Sequence, residues 1–433
     1  VLNLFIIVFL LSLFTLSAQT AIPLSRNEFL QKVEQENVDL KISSEEVLVA
    51  KGDFRQTNAV LLPRISVSYT GISTNNPLMA FGSKLNQRII TESDFNPDLL
   101  NNPSQIEDYA TRFEIQLPLL NFDGFHERKA ARAKLESFEY QNIRSKDYMM
   151  FEAEKSYMQL QLAYKTLEVL QNSRGVAQEN KRLAENAFNQ GIIQKADMLS
   201  SEVRLLEIKN QIQYAQSSIQ NISNRLSIMM NDSILKVMIP ADSLRIFEAH
   251  SSLKEVSDQR KDILAMESVN EAYNQQMKAD KMSFLPTLNA FGSYQLHNAE
   301  IFKSTASGYI LGAELKWDIL NGTKRFGKSY KSKAEFEKSK LELEQYISES
   351  RVEFDEAKRM LGDAANKLQL TSLAMEQSKE AFRVRRNRFS QGLERTTDLL
   401  IAEAQYAQKQ LEYYATIYEH NAALAYLEFL TKE

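Results

Sequence analysis

The chain contains no cysteine. Within these residues that excludes a disulfide scaffold, a Cys-based zinc site and a Cys-acylated lipid anchor. Proline is scarce, and all eight prolines lie outside residues 119–239 and 287–433. Those two windows are also rich in Ala, Leu, Glu, Lys, Gln and Arg, the residues with the best helix propensity, so no proline breaks a helix there. An excess of positive charge is missing too. Net charge is −4 and the sequence pI about 5.9, which leaves no basic footprint for nucleic acid. Beyond residue 19 no apolar run reaches the ~18 residues of a transmembrane helix. His126, His250, His297 and His420 are scattered, without a His-Glu-x-x-His pair. A phosphate-binding Gly-rich loop and a Gly-x-Ser-x-Gly elbow are also missing, so no catalytic residue, metal site or cofactor is indicated. Met149-Met150 and Met229-Met230 fall in helical windows, where methionine is ordinary packing material.

What is present begins with an apolar stretch from Val1 to Phe14, followed by Leu16-Ser17-Ala18-Gln19. It reads as a signal peptide over residues 1–18; the alternative is a short N-terminal membrane anchor. The remaining chain repeats itself. Leu62-Pro63-Arg64-Ile65 returns as Leu285-Pro286-Thr287-Leu288, and Phe188-Asn189-Gln190-Gly191 as Phe389-Ser390-Gln391-Gly392. Asp197 and Leu199 follow the first Gly motif as Asp398 and Leu400 follow the second. Units of about 200 residues are too long for a solenoid and indicate an old duplication. The boundaries are 19–240 and 241–433, with both repeats building one body.

Each repeat is expected to run helix, Leu-Pro, strand, strand, long helix, Gly turn, long helix. Ser25-Arg26-Asn27-Glu28 is a capping-box sequence that starts a helix, with a break near Asn37 and a restart towards Leu61. Residues 262–284 repeat that second helix. The long helices are predicted at 125–188 and 323–389, roughly 95 Å each at ~1.5 Å per residue. They return as helices over 197–231 and 398–431. Gly175 and Gly362 sit at matching places within the long helices, where a bend or a break can occur. Four strands are predicted, at about 64–73, 110–120, 287–296 and 307–319. Ile65, Val67 and Tyr69 alternate with Ser66, Ser68 and Thr70; Phe113, Ile115 and Leu117 alternate with Arg112, Glu114 and Gln116. One face is therefore apolar and the other wet. Segments of about ten residues can cross a bilayer at a tilt, but four strands cannot close a barrel and an open edge cannot sit in lipid. Spanning strands would force several copies to assemble.

With these motifs the chain resembles the TolC family of outer-membrane efflux factors, over about residues 25–433. The resemblance rests on the duplicated Leu-Pro, on Pro118-Leu119-Leu120-Asn121-Phe122-Asp123-Gly124, and on both Gly-turn motifs with Asp197 and Asp398. It implies a mainly α fold with a small β part: a homotrimer whose four strands per subunit form a 12-stranded barrel, continuous with a long periplasmic α-helical barrel. It also implies the outer membrane of a Gram-negative bacterium, extension into the periplasm, lipid around the barrel, and docking onto a periplasmic adaptor joined to an inner-membrane pump. The expected role is the passive exit duct of a tripartite efflux system. An exit duct for type I protein secretion is the alternative within the fold, and a soluble coiled-coil scaffold the alternative outside it.

By the same resemblance, the tip turns Phe188, Gly191, Arg388, Phe389 and Gly392 are where an adaptor docks. Asp197, Asp398, Glu394 and Arg395 are candidates for a pore constriction, since three carboxylates around an axis would attract cations. For Asp197 and Asp398 helix capping is the competing reading, and both can hold together. Ile401 stands where a second acidic ring is expected and Phe389 where a gate tyrosine is expected, so the bonds that close this tip must differ. Residues 72–109 form a long insertion between the first two strands, expected to fold over or into the outer mouth. Asp94-Phe95-Asn96-Pro97-Asp98 resembles the opening of a calcium loop, but Leu99 and Gln105 replace its Gly and Glu, which rejects an EF-hand.

Overall fold

The computed structural model describes residues 21–233, 236–248 and 255–433; the expected signal peptide and His250 lie outside them. In chain order, β1 (Ile22–Leu24) leads into α1 (Arg26–Glu36) and α2 (Val38–Gln56). A short 3-10 turn precedes β2 (Arg64–Thr74). The insertion holds α3 (Pro77–Gln87), a second 3-10 turn and α4 (Pro97–Asn101) before β3 (Ile106–Leu120). Then come α5 (Phe122–Asn189), α6 (Lys195–Met229), β4 (Met238–Pro240) and α7 (Lys261–Met282). The second repeat closes with β5 (Thr287–Asn298), β6 (Ala306–Lys316), α8 (Lys324–Ser390) and α9 (Thr396–Thr431).

Local signals placed these elements. Ser25 Oγ accepts the Glu28 N–H at the start of α1, and Asn37 separates α1 from α2. With 68 residues, α5 is about 100 Å long, and it continues without interruption through Gly175, as α8 does through Gly362. A lone glycine lowers helix propensity by ~1 kcal/mol, too little to break a helix held by its neighbours. The fourth strand ends at Lys316 instead of 319. There the Trp317 indole donates to the Phe284 carbonyl (3.0 Å), which takes the chain out of the sheet.

The described residues form two compact units, each drawn from both repeats: those within 21–45, 140–264 and 345–433 in one, and 46–139 and 265–344 in the other. The boundary at 240 is thus a boundary of sequence, not of packing.

In the first unit, β1 pairs in parallel with β4, and Phe29 and Val33 of α1 pack on Tyr157, Leu160 and Leu226. The Tyr157 hydroxyl donates to the Leu24 carbonyl (2.8 Å), and burial pushes that phenol up to about 12. Phe354, Ala357 and Leu361 of α8 pack on Leu424, Leu427 and Leu430 of α9. A charged network lies beside this seam. Arg260, 1% exposed, donates to both oxygens of Asp262 (2.7 and 2.8 Å) and to Ser350 Oγ (2.8 Å). Asp262 also accepts the Tyr346 hydroxyl (2.7 Å) and pairs with Arg144 (3.3 Å). Arg144 donates to the Phe429 carbonyl and lies 3.7 Å from the centre of that ring. Burial works to raise the Asp262 carboxyl, but the bonds from Arg260 and Tyr346 and the two guanidinium charges outweigh it and hold it below its ordinary value.

In the second unit, β2, β3, β5 and β6 form one antiparallel sheet in that order. The β3–β5 pairing joins the two repeats. Register places Arg64, Ser66, Arg112, Glu114, Ser293 and Gln295 on one face, and Ile65, Val67, Phe113, Ile115, Leu311 and Leu315 on the other. Phe291 breaks the alternation on the polar face. Its register partner is Gly312, where a Cβ would come within 2.6 Å of the Phe291 ring, so the glycine makes the room that the ring needs.

Residues 72–109 are not a plain loop. Asn76 caps α3 with Pro77 at the first helical position, and Asn96-Pro97 begins α4 in the same way. Helix α3 lies on the polar face of the sheet. Gln87 donates to Asp108 Oδ1 (3.0 Å) and to the Glu107 carbonyl (2.7 Å). His297 Nδ1 meets Asp108 (3.1 Å), and Arg88 donates to the Ser307 carbonyl (2.8 Å). Asp94 caps its own turn through Thr91 and pairs with Lys84 (2.7 Å).

Candidate functional site at the helical tips

Both long helices of the first unit end in the same turn. The Gly191 N–H bonds the Phe188 carbonyl (2.9 Å) and the Ile192 N–H bonds that of Ala187 (2.9 Å). At the second tip the Gly392 N–H bonds Phe389 and the Leu393 N–H bonds Arg388, each at 3.0 Å. These are paired Schellman closures, and their central residue must be left-handed. Gly191 has φ +75° and Gly392 φ +73°. Nothing lies within 4 Å of a Cβ built on either glycine, so backbone conformation, not crowding, demands them.

The returning helices start two residues earlier than predicted, at Lys195 and Thr396. That places Asp197 and Asp398 in equivalent positions of the first turn, where the helix dipole favours a carboxylate. Asp197 Oδ2 accepts the Gln194 N–H (3.3 Å), as a cap does. Asp197 lines a cleft of about 720 Å³ between the tips, with Gln190 and Gln194 from the first and Phe389, Glu394 and Arg395 from the second. Asp398 does not line it.

Glu394 is held inside its own hairpin. It accepts Arg385 (2.8 Å) and Arg388 (2.9 Å), and Arg388 also donates to the Leu393 carbonyl (3.3 Å). Arg395 stands exposed at the cap of α9, with no ion pair to it among the described residues. Phe188 is half-buried. Phe389, expected on the docking surface, is instead 9% exposed and packs with Phe382, Leu399 and Ala402 against Val176 and Leu183. Its ring holds the turn together, which needs no hydroxyl.

Sequence reasoning missed one pair. Glu403, 2% exposed on α9, accepts Arg204 of α6 (3.2 and 3.3 Å) and so ties the two returning helices. Burial pushes the Glu403 carboxyl up against the opposing pull of Arg204. The available signal was a carboxylate inside the apolar spacing Leu399, Ala402, Tyr406 and Ala407. The histidines stay apart: His126 bonds Gln275, His297 bonds Asp108 and His420 bonds Asn421. Among the described residues no group of three or more His, Asp or Glu could hold a metal ion.

The fold is shared with solved membrane proteins, outer membrane channels among them. A membrane protein of Pseudomonas aeruginosa superposes with TM-score 0.82 at 15% identity, covering 94% of this chain and 93% of that one. The CmeC outer membrane channel of Campylobacter jejuni gives 0.81 at 15% identity, over 94% and 85%. The open state of the MtrE outer membrane channel of Neisseria gonorrhoeae gives 0.78 at 16%, over 96% and 93%. No curated protein sequence matches the chain. The profile of the outer membrane efflux protein family matches residues 29–232 and 253–431, most of both repeats. With its two long-helix hairpins and its half-apolar sheet, the chain belongs to the outer membrane efflux protein family.

Proposed function

We propose that three copies of this chain form one passive exit duct through the outer membrane, in which both repeats of each copy build one body. Small molecules expelled by an inner-membrane pump leave through it, and a periplasmic adaptor joins pump and duct at the tips. The observation that carries this reading is the sheet of the second unit. Its apolar face is exposed at Ile65, Val67, Phe113, Ile115, Leu311 and Leu315. Its edge strands β2 and β6 each pair on one side only, with β3 and with β5, and their outer edges are unpaired among the described residues. Apolar side chains without a core call for lipid, and unpaired edges in lipid call for closure. The two edges are 11 residues each, and alternating strand direction lets β6 of one copy pair antiparallel with β2 of the next. Three copies then give twelve strands, an even number as such barrels require.

The test is electron microscopy of detergent-extracted protein. Three-fold tubes well over ~100 Å long are expected, from helices of the α5 length. Compact monomers, soluble without detergent, would overturn the reading.

In such a trimer Asp197 and Asp398 would each recur three times and bias the passage towards cations. Changing both, Asp197→Asn with Asp398→Asn, is expected to lower cation-over-anion selectivity several-fold, read as a shift in reversal potential across a salt gradient. An unchanged potential would leave the two aspartates with capping alone. Adaptor docking falls to the exposed turn residues Gly191, Arg388 and Gly392 with half-buried Phe188, since Phe389 is packed inward.

A further inference from the structure

The passage from β6 into α8 carries two features that the duct does not use. The first is a run of exposed apolar side chains: Trp317, Ile319, Leu320, Phe326 and Tyr330. They continue the bare outer face of β6, where Tyr309, Leu311 and Leu315 are exposed. Trp317 is held in place, its indole N–H on the Phe284 carbonyl, and the Phe326 ring centre lies 5.5 Å from that of Phe284.

The second feature is charge. Lys324, Arg325, Lys328, Lys331 and Lys333 all fall in the opening turns of α8, with no acid in its first turn. Cations there oppose the helix dipole, which favours negative charge at an N-terminus. The equivalent start of α5 carries Asp123 and Glu127 ahead of Arg128, Lys129 and Arg132, so acids precede its bases where α8 has none. Arg325 is tied to Asp318, Lys328 to Asp280 (2.8 Å) and Lys331 to Glu335 (3.6 Å). Lys324 and Lys333 are exposed, and no ion pair to them occurs among the described residues. Phe326, Tyr330 and Lys333 follow one another at i, i+4 and i+7, on one stripe of the helix. Lys333 therefore stands ~10 Å further from the strands than Phe326. Rings first and ammonium groups beyond them is the order of acyl boundary and phosphate layer in a bilayer leaflet.

We propose that this segment binds the headgroups of anionic phospholipids in the periplasmic leaflet, with the rings seated at the acyl boundary and Lys324, Lys331 and Lys333 on the phosphates. The inference rests on the barrel reading, which puts the strand-to-helix junction at that leaflet. In the barrel reading the next copy's β2 begins beside this segment with Arg64, which adds a positive charge there and neutralises none.

Trp317 is the only tryptophan of the chain, so its fluorescence reports on this place alone. The test uses the full protein in phosphatidylcholine bilayers containing an equal mole fraction of either brominated phosphatidylglycerol or brominated phosphatidylcholine. Brominated phosphatidylglycerol is expected to quench Trp317 about fivefold more effectively, with the preference fading at high salt. The Lys324→Gln, Lys331→Gln, Lys333→Gln variant should lose that preference while still being quenched. Equal quenching by both lipids in the unaltered protein would overturn the proposal, leaving only an apolar contact. Absence of quenching by either lipid, in a protein that still conducts, would overturn it as well and assign the surface to a second copy. Absence of both quenching and conductance would strike at the barrel reading itself.

Discussion

Replacing Asp262 with alanine is expected to destabilise the helical unit by about 3–5 kcal/mol, the range for breaking a buried ion pair from one side. The size follows from what the substitution leaves behind. The side chains of Arg260 and Arg144 are 2% and 11% exposed, so water cannot replace the lost carboxylate. Tyr346 loses its acceptor at the same time. A surface pair would lose only ~0–1 kcal/mol. The loss is read as a fall in the melting temperature of the helical circular dichroism signal. A fall no larger than that of a surface control such as Glu337→Ala would show that water reaches the two arginines. Replacing Arg260 and Arg144 by methionine together with Asp262 by leucine should recover part of the loss, because all three buried charges go at once.

The pH dependence has a definite sign. The folded state holds the Asp262 carboxyl below its ordinary value, so its contribution is complete above the unfolded value of ~3.9. It fades as pH falls through the folded value. The gap between the unaltered protein and the alanine variant is therefore expected to be flat near neutrality and to close in acid.

The second large effect concerns the insertion. Thr74 pairs with Ile106, so replacing residues 76–105 by one glycine leaves Asn75-Gly, the preferred two-residue hairpin turn, between paired strand ends. Single-channel conductance of this variant is expected to rise about twofold or more, because the proposed barrel turns the polar face to the lumen and each copy then loses from it a helix ~10 Å across. Ile106, Asp108, His297 and Ala306 are buried on that face, which the α3 bonds from Gln87 and Arg88 hold in place. A milder change, Gln87→Ala, removes the bonds to Asp108 and Glu107 and should make the open level noisier before it makes it larger. Unchanged conductance after the full replacement would mean that α3 stands clear of the lumen in the membrane.

Much of this was legible from local order. A long helix announces itself by the absence of proline and by helical spacing of its apolar residues, and a two-faced strand by alternation. Gly191 and Gly392 could be assigned a left-handed turn because little else adopts that conformation without strain. The duplicated order of parts carried the family resemblance. Helix α3 was less visible: at 11 residues it offers few helical repeats, though Asn76-Pro77 was the signal of its start.

The amino-acid sequence alone determined the elements, the duplication, the two tip turns and a sheet with one wet and one apolar face, all of which depend on neighbours a few residues apart. Only the tertiary structure decided which distant groups meet. It chose Arg385 and Arg388 as the partners of Glu394, sealed Phe389 inside the tip, and laid α3 on the polar face of the sheet. It also joined Arg144, Arg260, Asp262 and Tyr346 from three separate helices and a helix cap. The physical reason is that burial and pairing are properties of position in space, and a charge in the sequence carries no mark of whether water or another side chain will face it.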